Sequence, residues 1–221
     1  VKVLSQDFDT RLVVAAVPIF DASVILADAE CAAVANATEK RKREYTTGRW
    51  LARELLHRIG SAQTTVACSP DRSPRWPRGF VGSIAHTDRR CVVAVGHAHD
   101  FASVGIDIEP VEPVETELFD FIATTAEREK IECLPVSSRG RAVRQLFTAK
   151  EAAYKCVYPL LGKFLDFAEI EIEFPSAANR FSVTIAHPAA RELALVGSIV
   201  ECDGCFYTLV TTPVLDAVSP N

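Results

Sequence analysis

Gly105-Ile106-Asp107-Ile108-Glu109-Pro110 is followed about forty residues later by Lys150-Glu151-Ala152-Ala153-Tyr154-Lys155. In an extended segment successive side chains alternate faces, so Asp107 and Glu109 share one side while Ile106 and Ile108 point into a core. Two neighbouring carboxylates repel each other, and a cation relieves that repulsion. Hard oxygen ligands of this kind suit magnesium or manganese rather than zinc. Pro110 cannot donate to a sheet ladder and keeps Glu109 extended, so the strand is expected to stop just past the second acid. Taken alone, such a pair is also what a solvated sheet face shows.

The second segment adds a third acid. From Arg139 to Tyr158 the apolar positions Val143, Leu146, Phe147, Ala153, Tyr154, Val157 and Tyr158 recur at helical spacing, with Ser137 or Ser138 as N-cap and Gly162 just past the end. Glu151 and Lys155 then stand one turn apart on one face, with Phe147 one turn before. A surface ion pair has the same spacing. Together the two segments read as a divalent-metal site for phosphoryl chemistry.

Outward from these segments the chain predicts a strand at 12–18 and helices at 28–37 and 39–59, the second ended by Gly60. A proline-rich loop at 69–79 precedes strands at 81–85, 91–96 and 103–109, the middle one nearly all apolar and so central. Short helices at 115–122 and 126–133 lead into the long helix. Strands at 170–174, 181–186 and 195–212 follow, the last folded at the Asp203-Gly204 hairpin turn. Each half offers a long helix and about three strands, which indicates two related α+β lobes. A boundary near 103–105, giving lobes 1–104 and 105–221, puts Asp107 and Glu109 at the seam, where clefts form.

Of the 221 residues, 48% are hydrophobic and 24% charged, as in soluble globular proteins. The sequence shows neither a membrane-length apolar run nor a secretory signature, and with no methionine the native start is expected to differ slightly. Seven cysteines are expected to be reduced thiols, with Cys202 and Cys205 flanking a structural hairpin rather than binding zinc. A net charge of −5 argues against a general nucleic-acid binder. The basic residues nonetheless crowd 40–58 and 72–90, while 100–132 is acidic.

At this point the chain resembles the Sfp-type 4'-phosphopantetheinyl transferases, in particular the enterobactin-synthetase-like branch. The hallmarks G-[IV]-D-x-E and [WF]-x-x-K-E-[AS]-x-x-K stand here as Gly105 to Glu109 and Phe147 to Lys155. Arg49-Trp50-Leu51-Ala52-Arg53, Arg72 to Gly79 and Gly82-Ser83-Ile84-Ala85-His86-Thr87 match upstream, so the likeness runs from about residue 40 to about residue 172. Phe147 stands where many members carry tryptophan, and Ala85 where serine or threonine is usual.

The resemblance implies an α+β fold of two similar lobes related by a pseudo-twofold. It also implies an enzyme that moves the phosphopantetheine arm of coenzyme A onto a serine of an acyl, peptidyl or aryl carrier protein, releasing adenosine 3',5'-bisphosphate. Asp107, Glu109 and Glu151 would hold magnesium or manganese, and Glu151 would accept the serine proton, directly or through a water on the metal. Lys155 and Lys150 would face phosphate. Arg41, Arg49, Arg72 and Arg75 would bind the 3'-phosphate, with Ser83 and His86 at the phosphates and adenosine; His57, His97, His99 and His187 have no such context. The expected partners are coenzyme A and, transiently, apo carriers, with neither nucleic acid nor membrane, for a cytoplasmic monomer. The alternatives weighed are a carrier-binding module without turnover and an unrelated magnesium-dependent enzyme; no P-loop or Rossmann glycine pattern supports the latter. The residues do not choose among fatty-acid, polyketide, non-ribosomal-peptide and siderophore carriers.

Overall fold

The computed structural model describes residues 1–21, 26–114, 116–175 and 179–214. The strands are β1 (Lys2–Val3), β2 (Val13–Pro18), β3 (Ala67–Cys68), β4 (Pro74–Arg75), β5 (Phe80–His86), β6 (Arg90–His97), β7 (Phe101–Pro110), β8 (Ile170–Glu173), β9 (Arg180–Ile185), β10 (Val196–Cys202) and β11 (Cys205–Pro213). The helices are α1 (Asp28–Cys31), α2 (Glu39–Arg58), α3 (Thr116–Ile122), α4 (Thr125–Glu132) and α5 (Val136–Leu161). One sheet runs β1-β2-β6-β5, a second β7-β11-β10-β9-β8, and β3 pairs with β4 in a small third one. Apolar β6 is interior, as its sequence predicts.

Alternation along the strands builds four layers. The outer face of the first sheet, with Ala15, Val17, Cys91, Val93 and Val95, is covered by Leu51, Leu55 and Leu56 of α2. Its inner face, with Val14, Ala16, Val92 and Ala94, packs on Val104, Ile106, Ile108, Tyr207 and Leu209 of the second sheet. The far face of that sheet is covered by α5 through Leu146, Ala149, Ala153 and Val157. The order is therefore α2, sheet, sheet, α5: an α+β architecture in which each sheet carries one long helix. Edge strands β5 and β7 run beside each other without sharing a ladder.

β7 stops at Pro110, and its register pairs Asp107 with Thr208 and Glu109 with Phe206 of β11. The acids thus face α5. Gly105 makes that packing possible, because a Cβ there would lie 2.0 Å from the Ala152 carbonyl oxygen and 2.4 Å from the Cys156 nitrogen. Gly105→Ala is therefore expected to push α5 off β7 and to cost about 1–3 kcal/mol of stability as overpacking, readable by urea denaturation. An unchanged midpoint would show that the helix does not rest on this strand.

Two expectations change. The long helix begins at Val136 after Pro135, so neither Ser137 nor Ser138 is its N-cap. Region 28–37 forms only α1 and a 3-10 turn at Ala32–Val34. The two-residue strands β1, β3 and β4 are too short to carry a period. The Asp203-Gly204 turn has positive φ at both residues, 49° and 71°, as a primed two-residue hairpin requires. All seven cysteines are unbridged. Among the described residues no helix is long and apolar enough to cross a membrane.

Candidate active site

The adjoining edges of β5 and β7 place side chains from both sheets on one groove. On α5, Arg144, Thr148, Glu151, Lys155 and Tyr158 succeed one another at spacings of three or four residues and form a polar stripe over the β7 acids. Thr148 donates its hydroxyl to Asp107 Oδ2 at 2.8 Å, and Lys155 Nζ donates to Asp107 Oδ1 at 2.6 Å. Lys155 lies 4.0 Å from Glu151 Oε2. Arg144 donates to Glu109 Oε2 at 2.6 Å.

The charges are unevenly compensated. Burial, then the neighbouring Asp107, pushes the Glu109 carboxyl up to about 7 despite Arg144. Burial also raises Glu151, with Asp107 adding to the rise and Lys155 opposing it. Burial by itself would lower the Lys155 ammonium, but Asp107, Glu151 and Glu109 outweigh it and hold its pKa above the usual lysine value. Between about 4.5 and about 7, folded Glu109 keeps a proton that the unfolded chain has released. Folding free energy must therefore weaken as pH rises through that window. Without divalent metal, the melting temperature of the wild type is expected to fall across this range more steeply than that of Glu109→Gln. Parallel curves would contradict it.

The expected three-carboxylate cluster is not gathered. Among the described residues no group of three histidine, cysteine or acidic side chains surrounds one point as metal ligands do. The reason is local pairing: the Lys155 ammonium sits on Asp107, and Arg144 draws Glu109 aside. The donor chemistry still fits a hard cation. Each oxygen of Asp107 accepts one hydrogen bond and retains acceptor capacity. Opposite Asp107, Thr208 buries a hydroxyl that has no hydrogen-bond partner among the described residues.

Helix α2, the loop between β3 and β4, and strand β5 supply the basic end. Arg41, Arg49, Arg72 and His86 line one depression of about 120 Å³. Arg41 NH1 approaches His86 Nε2 at 2.9 Å, and Glu44 Oε2 lies 3.6 Å from both side chains. The His86 pKa is lowered, first by burial and then by Arg41 and Lys155, with Glu44 opposing. Arg49 stacks 4.4 Å over the Tyr45 ring and buries an Nε that has no hydrogen-bond partner among the described residues. A guanidinium group lining such a depression suits an anion. Arg72 also lines an adjoining cavity of about 370 Å³ with Ser83, Trp76, Tyr154 and Lys155. A wider cleft of about 830 Å³ runs from Lys40 and His86 past Arg89 to Glu109.

Two expected site residues are not brought here. Lys150 is fully buried on another face of α5, where it donates to the Phe167 carbonyl at 2.9 Å and pairs with Glu127 at 2.6 Å. One helical step of rotation separates it from Glu151. Arg75 is exposed on β4 and lines none of these cavities; alternation along the strand turns Pro74 inward and Arg75 outward. Ser83 and His86, an odd number of residues apart on β5, reach the groove from opposite faces of the strand. Thr148, Arg144, Glu44 and Tyr158 escaped the sequence reading, although the helical stripe through Glu151 would have found three of them.

A family model for the 4'-phosphopantetheinyl transferase N-terminal domain matches residues 29–96, and one for the 4'-phosphopantetheinyl transferase superfamily matches 103–198. The chain belongs to that superfamily. It is 36% identical over 141 residues to 4'-phosphopantetheinyl transferase Npt of Nocardia iowensis, covering 64% of this chain and 63% of the relative. To 4'-phosphopantetheinyl transferase Svp of Streptomyces mobaraensis it is 37% identical over 162 residues, covering 72% and 65%. The chain thus spans a little under two thirds of the length of these relatives. Among solved structures, a holo-(acyl-carrier-protein) synthase from Bacillus anthracis in complex with CoA (3',5'-ADP) is 25% identical with a TM-score of 0.43, over 52% of this chain and 99% of that one.

Proposed function

We propose that this superfamily member transfers the 4'-phosphopantetheine group of coenzyme A to a serine of an apo carrier protein, with a divalent metal, and releases adenosine 3',5'-bisphosphate. One observation carries the reading: Lys155, which pairs with Asp107 and lies 4.0 Å from Glu151, lines a cavity with Arg72, and Arg72 also lines the depression of Arg41, Arg49 and His86. An acid-and-ammonium centre beside a guanidinium-lined depression is what a ligand with a pyrophosphate at one end and a further phosphate at the other requires.

In this mechanism Arg41, Arg49, Arg72 and His86 hold the 3'-phosphate, and Ser83 offers a hydroxyl along the groove. Lys155 sets positive charge beside the pyrophosphate, where charge grows as the bond breaks. Glu151, its proton affinity raised by burial, takes the proton of the carrier serine. The serine oxygen bonds to the phosphorus bearing the pantetheine arm, and the bridging oxygen leaves with adenosine 3',5'-bisphosphate. Asp107, Glu109 and Glu151 would hold the metal, magnesium or manganese, which when bound neutralises pyrophosphate oxygens. The first lobe, 1–104, would thus supply coenzyme A-binding residues and the second, 105–221, the acids and catalytic helix. We further infer transient, salt-sensitive docking of acidic carriers to a cytoplasmic monomer, without nucleic-acid or membrane partners.

The test is mass spectrometry of apo acyl, peptidyl and aryl carrier proteins after incubation with the chain, coenzyme A and magnesium. A gain of one phosphopantetheinyl group that chelator abolishes is expected. Carriers that bind without gaining mass would replace this reading with that of a carrier-binding module.

A further inference from the structure

A side-chain contact that the catalytic reading does not use joins the two lobes across the groove. Tyr158 of α5 donates its hydroxyl to Asp71 Oδ2 at 2.8 Å, linking residues 87 positions apart in the chain. Asp71 lies at the apex of the loop between β3 and β4. Its Oδ1 accepts from the Ser73 backbone nitrogen at 3.0 Å and from the Ser73 hydroxyl at 2.7 Å. The next residue, Arg72, has φ of +70°, one of two non-glycine residues among those described with positive φ. A residue with a Cβ holds that conformation only where its surroundings over-determine it.

The surroundings here are specific. Arg72 N donates to the Ser69 carbonyl at 2.8 Å, and Ser69 N to the Ser73 carbonyl at 2.9 Å. The trailing arm of the loop is fixed by Trp76, whose ring lies so close over Gly82 of β5 that a Cβ there would come within 2.7 Å of it. One arm of the loop thus rests on the first lobe, and its apex is tied to the second. Between them Arg72 faces both the cavity containing Lys155 and the depression containing Arg41, Arg49 and His86.

We propose that the Tyr158–Asp71 hydrogen bond is an interlobe latch that positions Arg72 over the groove and so sets the affinity for the nucleotide end of coenzyme A. Tyr158 is a positioning residue in this role: it acts through Asp71 on Arg72, and the proposal rests on the coenzyme A reading above. The Asp71 carboxylate, engaged by Tyr158 and Ser73, is at the same time kept from pairing with Arg72, which leaves that guanidinium for phosphate. Hydrogen bonds from Ser73 and, to a smaller extent, from Tyr158 hold the Asp71 pKa below the ordinary carboxylate value, so the acceptor is charged wherever the enzyme works.

Tyr158→Phe keeps the ring and removes only the donor. It is expected to raise the dissociation constant for adenosine 3',5'-bisphosphate, measured by calorimetry on the full chain, about tenfold, as loss of a hydrogen bond to a charged group implies. The same change should appear in the KM for coenzyme A rather than in kcat. Asp71→Ala should match it, Asp71→Asn, which keeps an acceptor, should recover most of the affinity, and the Tyr158→Phe/Asp71→Ala double variant should be no worse than either single one. Additive losses, or unaltered nucleotide affinity in Tyr158→Phe, would overturn the latch. A wild type that binds the nucleotide but modifies no carrier would sink the transferase reading and leave the latch standing; one that transfers normally while Tyr158→Phe binds as well as wild type would sink only the latch. A wild type that binds no nucleotide would remove both.

Discussion

Glu151→Gln is expected to lower kcat for carrier modification by about 10²–10⁴-fold, the usual worth of a positioned general base. The substitution keeps the volume of the side chain and its place on α5 while removing its capacity to accept a proton and weakening it as a ligand for a hard cation. Because Glu151 is half-buried and makes, among the described residues, no contact with a cation closer than its 4.0 Å approach to Lys155, the fold should tolerate the amide. Melting temperature and nucleotide affinity should therefore stay near wild type while product formation collapses in intact-mass assays. Substantial turnover by this variant would mean that the serine proton leaves by another route, and the role given to α5 would have to be redrawn.

Lys150→Met should act in the opposite way, on stability rather than on chemistry. Lys150 is one residue from Glu151, yet its ammonium is sealed among α4, α5 and the turn at Phe167–Glu169. Glu127, its partner, also accepts from the backbone nitrogens of Thr124 and Ile172, both at 2.7 Å. Removing the cation leaves a buried carboxylate uncompensated, a change that costs about 3–5 kcal/mol. A Lys150→Met/Glu127→Gln double variant should regain part of that loss, since neither charge is then left unpaired. Denaturant titration reads both effects. Nucleotide affinity of the folded single variant should be unaltered; an affinity loss at full stability would instead put Lys150 in the groove.

The contrast between Lys150 and Glu151 shows where sequence reading stops. A period of two was enough to put Asp107 and Glu109 on one face and Ile106 and Ile108 on the other, because strand geometry leaves no other choice. The helical period likewise joined Glu151 to Lys155. Which side of α5 meets β7 is a tertiary matter, decided by Gly105 and by the apolar residues Leu146, Ala149, Ala153 and Val157 that cover the same sheet, and it puts Lys150 with Glu127 rather than with Glu151. Arg75 went astray for the same reason on a shorter scale. Gathering of Arg41, Arg49, Arg72 and His86 followed from the family likeness; no local spacing connects α2, a loop and β5. The Tyr158–Asp71 contact has no trace in the sequence at all, since both residue types are common on surfaces and nothing links them along the chain.

β7 serves two masters. Past its first residues, Val104, Ile106 and Ile108 fill the space between the sheets while Asp107 and Glu109 furnish the acids, so both roles depend on the count of residues from Val104 to Pro110. Insertion or deletion of a single residue there would exchange the two sets, burying carboxylates among aliphatic groups and offering isoleucines to the groove. Side chains in this segment can drift, but its length cannot.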